Sequence, residues 1–433
     1  MRYRIVIGTV LALATACARG QDWPQWRGPS FNGSSGATHL PEKLDTAHQV
    51  WTVSLPGPGA GTPIVSGDHV FMTCLDGKSK KLLGMCFSRK DGKELWRKEI
   101  GDGFQSNGRN NMASPSPVTD GKTVWFYFGT GDLAAFDVNG NPLWSRNIAK
   151  DHGPFNIQWI YASSPLLYKG KLYIQVLHRD VPAWGRGGPS PSSKADSFLL
   201  ALDPANGKDL WKVIRPNDAV QETKESYATP LPYEHDGHAE ILLIGADCVT
   251  AHDPDNGKEL WRFGGWNPRK IEHWRQVAGL VATDGLVFAC VPKGGPIFAI
   301  KDGGSGDVTN THLAWKSTEF ASDVCVPLVY KDRLYVLDGD KRTITCVDPR
   351  SGQKKWSGRL GGGAVFRASP TGADDKVYCM NEAGEVWVLA ADEFKVLDHE
   401  SLDANGSSRA SVAVGDGCVF VRAGETLYSF VNK

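Results

Sequence analysis

The sequence predicts an all-β protein, an eight-bladed β-propeller made of four-stranded antiparallel blades. Three observations predict this fold: a tryptophan that recurs along the chain, eight copies of a β-hairpin pattern, and a last repeat that lacks one strand. The chain has 433 residues, of which 49 are glycine and 25 are proline. Such a content is typical of many short strands joined by tight turns.

The recurring tryptophan ends a phrase in which a turn leads into a strand, as in NGNPLW and PDNGKELW. The intervals between these tryptophans run from 41 to 67 residues, and a repeat of about 40 to 50 residues indicates a solenoid or a propeller. Because blades splay apart away from the axis, we expect these rings on the outermost strands, where they fill the gaps. The seven residues are Trp51, Trp96, Trp144, Trp211, Trp261, Trp315 and Trp356.

Each repeat opens with a hairpin pattern, in which turn residues separate two apolar, β-branched or aromatic runs. A second hairpin follows, as in FLLALDPANGKDLWKVI, so that one repeat supplies the four strands of a blade. Most first strands begin with small residues and a proline, as at 61–63 (GTP) and 368–370 (ASP). Small side chains suit an innermost strand beside the axis, and proline is tolerated at the first residue of a strand.

The last repeat ends without its fourth strand, whereas a spare strand around Trp51 precedes the first complete repeat. We expect residues 50–55 to pair with the C-terminal sheet and close the ring, which removes a free sheet edge. A strand at residues 396–397 supplies the outer strand of the seventh blade, so eight outer strands match eight inner hairpins. The predicted domain organisation is one propeller over residues 49–433, preceded by an N-terminal segment over residues 21–48.

Residues 1–20 have the layout of a signal peptide. Arg2 and Arg4 precede an apolar run that is too short to span a bilayer, and small residues follow it. Cys17 lies in ATAC, a weak match to a lipoprotein box, so lipid anchoring is an alternative. We expect an exported monomer, periplasmic or secreted, without a transmembrane segment.

Composition excludes several classes of function. The formal net charge is zero and no run of five or more Lys or Arg occurs, so nucleic acid is not an expected partner. The cysteines show no CxxC or CxxCH spacing, and no metal site is predicted. We interpret them as small buried hydrophobic residues, with disulfides as the alternative. Fingerprints of hydrolases, metalloproteases and nucleotide-binding proteins are absent from the sequence.

The outer-strand phrase resembles the quinoprotein-type (PQQ-type) propeller repeat, A-x-D-x-x-T-G-x-x-x-W. It occurs here as ALDPANGKDLW, AHDPDNGKELW and CVDPRSGQKKW. The segment DWPQWRGPSFNGSS is also similar to the start of exported propellers of this superfamily, such as those of planctomycetes. The resemblance covers nearly the whole mature chain and implies eight blades.

Quinone-dependent dehydrogenases share this repeat, and the resemblance to them implies PQQ with Ca2+ held by Glu, Asn and Asp, above a tryptophan floor. Their vicinal cysteine pair is absent here. Glu225, Asn156 and Asp323 are the calcium ligands that the chain offers, although no local motif fixes them. We therefore keep PQQ and Ca2+ as an alternative and predict no cofactor.

Long polar loops precede blades two to five, and an insertion at residues 178–197 interrupts one hairpin. Loops carry function more often than the scaffold does, so we expect a ligand or partner on this face. Arginines from different blades can converge there on an anionic group, or form a solvated rim of ion pairs. The loop tryptophans can stack on a ligand or plug the funnel against one another. The predicted ligand-binding residues are Arg109, Asn111, Trp159, Trp184, Trp274, Arg275, Asp323, Arg367 and Arg409.

Four further residues are candidates for acid–base catalysis in the same loops: His178, His273, Glu225 and Tyr161. Each histidine has a structural role as its alternative. No catalytic motif supports them.

Two functions stay open. The first is an exported binding or scaffold module, whose partner is an envelope protein, a small molecule or a glycan at the funnel face. The related eight-bladed lipoprotein of the outer-membrane assembly machinery is its analogue. The second is an enzyme with its site in the axial funnel, either a PQQ-dependent dehydrogenase or a carbohydrate-active enzyme. The neutral charge and missing catalytic motifs favour the first function, while the aromatic loops and interleaved arginines favour the second.

Overall fold

The structure is a computed structural model that describes residues 22–105, 109–180, 195–415 and 417–433. Within these ranges the strands form eight sheets, each built on four antiparallel strands and arranged as the blades of one propeller. The predicted all-β, eight-bladed fold is confirmed. The predicted signal peptide, with Cys17, and the loop residue Trp184 lie outside the described residues.

The strands succeed one another from the axis outward in blades one to seven. Blades one to four contain β2 (Ile64–Ser66), β3 (His69–Leu75), β4 (Lys81–Ser88) and β5 (Glu94–Asp102); β6 (Val118–Thr119), β7 (Thr123–Tyr127), β8 (Asp132–Asp137) and β9 (Pro142–Asn147); β10 (Leu166–Tyr168), β11 (Lys171–Val176), β12 (Phe198–Leu202) and β13 (Asp209–Ile214); β14 (Leu231–His235), β15 (His238–Gly245), β16 (Cys248–His252) and β17 (Glu259–Phe263). A short helix, α1 (Ile148–His152), follows β9, and a 3-10 turn (Gln221–Lys224) precedes β14.

Blades five to seven contain β18 (Val281–Thr283), β19 (Leu286–Cys290), β20 (Ile297–Lys301) and β22 (Leu313–Ser317); β23 (Leu328–Tyr330), β24 (Arg333–Asp338), β25 (Thr343–Val347) and β26 (Lys354–Arg359); β27 (Thr371–Ala373), β28 (Lys376–Met380), β29 (Glu385–Ala390) and β30 (Val396–Ser401). One feature was not predicted. The two-residue strand β21 (Gly306–Asp307) pairs in parallel with β17 and adds a fifth strand to blade four.

The ring closes as predicted. Blade eight contains β31 (Ala413–Gly415), β32 (Cys418–Ala423) and β33 (Thr426–Val431), and β1 (Gln49–Ser54) pairs with β33 as its fourth strand. The pairing is antiparallel, with Trp51 opposite Ser429 and Ser54 opposite Thr426. The outer edge of the last blade is therefore supplied by residues that precede the first blade in sequence.

Five of the seven outer-strand tryptophans pack against a turn glycine of the next blade. A Cβ added to Gly92 would lie 2.7 Å from the ring of Trp51, and one added to Gly352 would lie 2.8 Å from that of Trp315. The indole of Trp51 also donates to the Arg89 carbonyl at 2.9 Å. Glycine is required in these turns because its φ is positive and because the ring occupies the space of a side chain. The tryptophan and the turn glycine of the repeated phrase thus meet between neighbouring blades.

Hydroxyl side chains link the blades around the axis. At the start of six of the eight inner strands, a serine or threonine oxygen accepts the backbone N–H of the preceding blade at 2.9–3.1 Å. The six residues are Thr62, Ser116, Ser164, Thr229, Ser369 and Ser411. Gly279 and Val326 occupy the corresponding positions of blades five and six and have no hydroxyl group.

The N-terminal segment covers one end of the axis. Trp23 forms a two-way backbone pair with Val65, and Gln25 pairs through its amide with Leu167. Both partners lie three residues beyond an axial hydroxyl residue, on the side away from the loops that precede the blades. Arg27 is fully buried there and donates to the carbonyls of Pro327 at 2.7 Å and Pro370 at 2.8 Å. Burial lowers the pKa of Arg27 to about 9, so its guanidinium is charged at neutral pH.

Seven cysteines of the described residues are small buried side chains. None of these seven forms a disulfide in the described part of the chain: Cys74, Cys86, Cys248, Cys290, Cys325, Cys346 and Cys379. Burial raises the pKa of the Cys86 and Cys325 thiols to about 12. Within the described ranges, no helix has the length and apolarity needed to cross a membrane.

Candidate functional site

A cavity of about 840 Å³ occupies the axis at the end opposite the N-terminal segment. Its volume lies within the range of small-molecule sites. Small residues of the inner strands and charged residues of the loops make up most of its lining. The charged residues are Arg109, Arg275, Lys293, Asp323, Asp338, Asp340, Lys341, Arg367, Glu382 and Arg409.

The lining is layered, because each inner strand runs from the loop face towards the N-terminal segment. Arg367 comes first along the chain at the cavity mouth, Ser369 follows in the wall, and Thr371 begins β27. Trp26 borders the cavity from the far end, since it also lines a small void between the N-terminal segment and the inner strands. The cavity thus has a charged rim, a wall that carries hydroxyl groups, and an indole floor.

The four arginines expected to converge all border this cavity. Arg367 pairs with Asp340 at 2.6 Å, and Arg409 pairs with Glu382 at 2.5 Å. Arg275 lies 3.6 Å from Glu222. These ion pairs hold the guanidinium groups in place from three different blades, as expected of a preorganised site.

Arg109 connects the two sides of the rim. Its guanidinium lies 4.8 Å from the ring centre of Trp159, within cation–π range. Its backbone carbonyl accepts a hydrogen bond from Arg409. Trp159, a predicted ligand-binding residue that borders the cavity, is oriented by an indole hydrogen bond of 2.7 Å to Glu222.

The positive charges at the rim act on one another. Burial lowers the pKa of Lys293, and the charges of Arg275 and Arg109 lower it further, against the opposing effect of Asp323. Burial likewise lowers the pKa of Arg409, with Glu382 opposing and Arg367 and Arg109 adding to the shift. Six cationic side chains face four carboxylates in this lining, and Glu222 beside Arg275 adds a fifth carboxylate at its edge, although the whole chain is neutral. The excess of positive charge is therefore local to the cavity.

Three predicted ligand-binding residues differ in position. Asp323 borders the cavity and accepts the backbone N–H of Lys293 at 2.6 Å. Asn111 is buried outside the cavity lining, and its side-chain oxygen accepts the Ala113 N–H at 2.9 Å. Trp274 does not line the cavity, and its backbone N–H donates to Thr223.

The four catalytic candidates do not border the cavity. Glu225 has a fully buried side chain that pairs with Arg179 and accepts the Tyr227 hydroxyl at 2.7 Å. Burial raises the pKa of Glu225, against the opposing effects of Tyr227 and Arg179. Such an arrangement ties the loop before blade four to the insertion hairpin.

His178 and Tyr161 are buried as well. Nδ1 of His178 accepts the Asn156 N–H at 3.0 Å, which requires a neutral ring, and burial lowers its pKa. The Tyr161 hydroxyl donates to the Gln175 carbonyl at 2.5 Å. His273 is exposed on the loop face. Their catalytic roles stay predictions, and their contacts fit structural roles.

The chain matches the model of the family described as outer membrane protein assembly factor BamB, over residues 42–179 and 245–432. These two ranges cover most of the propeller. The chain belongs to this family.

Proteins of two kinds are similar to this BamB-type propeller, dehydrogenases and BamB itself. A polyvinylalcohol dehydrogenase of Sphingopyxis sp. (strain 113P3) is 23% identical over 304 residues, which cover 62% of this chain and 42% of that protein. The chain spans less than half of the length of the curated relatives it matches. BamB from Moraxella catarrhalis superposes with a TM-score of 0.63 at 13% identity, covering 88% of this chain and 99% of that one. Quinohemoprotein alcohol dehydrogenase from Comamonas testosteroni superposes with a TM-score of 0.67 at 12% identity, covering 95% and 80%.

Because a quinohemoprotein alcohol dehydrogenase has a similar fold, we compared the residues of this cavity with the chemistry of PQQ and calcium. The cationic rim fits the carboxylates of PQQ, but the expected calcium ligands do not fit the ion. Glu225 is occupied by Arg179 and Tyr227, and Asp323 by Lys293. The buried side-chain amide of Asn156 has no hydrogen-bond partner among the described residues, but this single oxygen is far from the set of about six to eight that calcium takes. Across the described ranges, no group of three or more His, Cys, Asp or Glu is arranged to hold a metal.

Proposed function

We propose that this protein is an exported binding module, which holds an anionic group in its axial cavity. The observation that carries the proposal is the convergence on one cavity of Arg109, from the loop before blade two, with Arg275 and Lys293 from the loops of blade five, where their charges affect one another. Like charges are held this close at a cost, and an anion between them offsets that cost. The anionic group belongs to a small molecule or to an envelope protein that docks over the mouth.

The proposed location is the periplasm or the exterior of the cell. The signal-peptide pattern of residues 1–20 supports it, and the BamB-type fold is compatible with it. A protein-binding role on the loop face is supported by the same fold likeness.

Calorimetric titration with citrate, succinate and acetate tests the proposal. We expect saturable binding that strengthens with the number of carboxylates and weakens with salt, because charge attraction drives it. Arg275→Gln and Lys293→Gln should each weaken binding about tenfold, the effect of losing one charge-assisted contact. Arg350→Gln is the matched control, since Arg350 is an exposed arginine paired with Asp284 away from the cavity. Absence of saturable binding, or equal losses in all three variants, would contradict the proposal.

A PQQ-dependent dehydrogenase is the second candidate function. The similarity to polyvinylalcohol dehydrogenase and the cationic rim support it, whereas the paired states of Glu225 and Asp323 count against a calcium-bound quinone. Incubation with PQQ and Ca2+, followed by dye reduction with polyvinyl alcohol, separates the two candidates. Dye reduction that requires PQQ and disappears in Arg275→Gln would favour the dehydrogenase.

A further inference from the structure

The hydroxyl groups on the cavity wall have an unused hydrogen-bonding capacity. Ser116, Ser164, Thr229 and Ser369 line the cavity, and the oxygen of each accepts a backbone N–H from the preceding blade. A hydroxyl group has one O–H donor besides its acceptor lone pairs. In the part of the chain that the structure describes, none of these four O–H groups donates to a protein atom. All four are therefore available as donors to a ligand.

These donors form a second tier below the charged rim. Arg367 at the rim and Ser369 in the wall are two residues apart along one extended segment, which places the tiers about 7 Å apart. The rim supplies charged donors and the wall supplies neutral donors. A ligand that satisfies both tiers carries an anionic group at one end and several neutral oxygen acceptors at the other.

The floor adds a third requirement. Trp26 borders the far end of the cavity, and the lining also contains the small residues Ala162 and Ala228. An indole face packs well against the C–H face of a flat or saturated ring. A ring-bearing ligand with hydroxyl groups therefore fits the lower half of the cavity.

We propose that the cavity recognises an acidic carbohydrate, a uronic acid residue in a glycan. Its carboxylate would contact the rim cations, its hydroxyl and ring oxygens would accept from the wall hydroxyls, and one sugar face would pack on Trp26. This inference rests on the proposed function, since it names the class of anion. A simple carboxylate satisfies the rim alone, and a neutral sugar supplies no negative charge to offset the local excess of cationic side chains in the lining.

Calorimetry with three probes tests the inference: digalacturonate, the neutral disaccharide lactose, and succinate. The wild-type protein should bind digalacturonate at least about tenfold more tightly than either other probe, because that probe alone engages both tiers. Ser164→Ala and Ser369→Ala should each weaken digalacturonate binding several-fold and leave succinate binding unchanged. Trp26→Ala should also weaken digalacturonate binding selectively.

Ser411→Ala is the matched control for stability. Ser411 accepts the Ser369 N–H at 3.1 Å in the same inter-blade manner, but it does not line the cavity. The variant should lower the melting temperature about as much as Ser369→Ala does, with unchanged digalacturonate affinity. If Ser411→Ala weakens binding as much as Ser369→Ala, the wall hydroxyls act through the fold and the inference is wrong.

The outcomes separate this inference from the proposed function. Equal affinity for digalacturonate and succinate, both lost in Arg275→Gln, would overturn the acidic-carbohydrate inference and leave anion binding intact. Tight lactose binding that is independent of Arg275 would overturn both. Absence of binding by every anion would likewise overturn both.

Discussion

The backbone N–H of Ser411 in blade eight donates to Oγ1 of Thr62 in blade one, at 3.1 Å. This hydrogen bond joins the first and last blades beside the axis, while the pairing of β1 with β33 joins the two ends of the chain at the outer edge of the propeller. Thr62 is fully buried, and its own N–H donates to Ser116 of blade two. Thr62 therefore takes part in two of the inter-blade hydrogen bonds, one of which joins the last blade to the first.

We predict that Thr62→Val destabilises the ring. The substitution keeps the shape of the side chain but leaves the buried N–H of Ser411 without its acceptor, at a cost of about 1–3 kcal/mol. Urea unfolding followed by tryptophan fluorescence measures the change in unfolding free energy. Thr52→Val on the exposed face of β1 is the control and should have little effect. Equal stability of the Thr62→Val variant and the wild type would show that this bond does not matter to the closure.

The contact of Trp51 with Gly92 predicts a second effect. Gly92 has a φ of +71°, and a Cβ there would overlap the Trp51 ring. Gly92→Ala should therefore cost more than the roughly 1 kcal/mol of a strained left-handed alanine. Gly170→Ala is the matched control, because Gly170 has a φ of +70° with no atom within 4 Å of an added Cβ. Equal melting temperatures of the two variants would rule out a role for the ring contact.

His252 predicts a pH dependence of stability. Burial lowers its pKa from 6.5 to about 4, while its Nδ1 lies 2.9 Å from the Gly257 carbonyl. Between pH 6.5 and 4 the unfolded chain binds a proton that the folded protein does not, so the stabilising contribution of His252 is lost as the pH falls through this window. The loss amounts to about 3 kcal/mol at most. His252→Gln should flatten the curve of unfolding free energy between these pH values, and an unchanged slope would contradict this assignment.

We predict that the hydrogen bonds of Arg27 hold the N-terminal segment against the inner strands. Arg27→Ala removes the donors to the Pro327 and Pro370 carbonyls and leaves these carbonyls buried, so the segment should open more often. Hydrogen exchange at the amides of Trp23 and Val65, which pair with each other, should accelerate at least about tenfold. The exposed Arg350→Ala should leave both rates unchanged. Unchanged exchange rates in Arg27→Ala would show that the other contacts of the N-terminal segment are enough to hold it on the propeller.

The propeller could be predicted because each repeat contains short sequence patterns for its turns and strands. A turn glycine and an outer-strand tryptophan occur in nearly every repeat, and the contact of Trp51 with Gly92 shows why both are needed. The missing fourth strand of the last repeat predicted the pairing of β1 with β33. The short strand β21 was missed, because a two-residue parallel pair leaves no periodic pattern in the sequence.

The cavity could be predicted only in part. The rim arginines were found because each precedes an inner strand, and that position lies beside the axis. Lys293 and Glu382 were missed because they come from hairpin loops whose direction the pattern does not give. Trp26 was missed because the path of the N-terminal segment follows from contacts with distant blades, such as the bonds of Arg27. The inter-blade hydroxyl bonds explain in retrospect the serine or threonine before the proline of several inner strands.

The most direct test of anion binding in the axial cavity is a crystal structure of the protein soaked in selenate, with anomalous scattering recorded at the selenium edge. We predict an anomalous peak between the side chains of Arg109, Arg275 and Lys293, and we expect this peak to disappear in Lys293→Gln crystals of the same form. Peaks at other surface cations, with none inside the cavity, would contradict it.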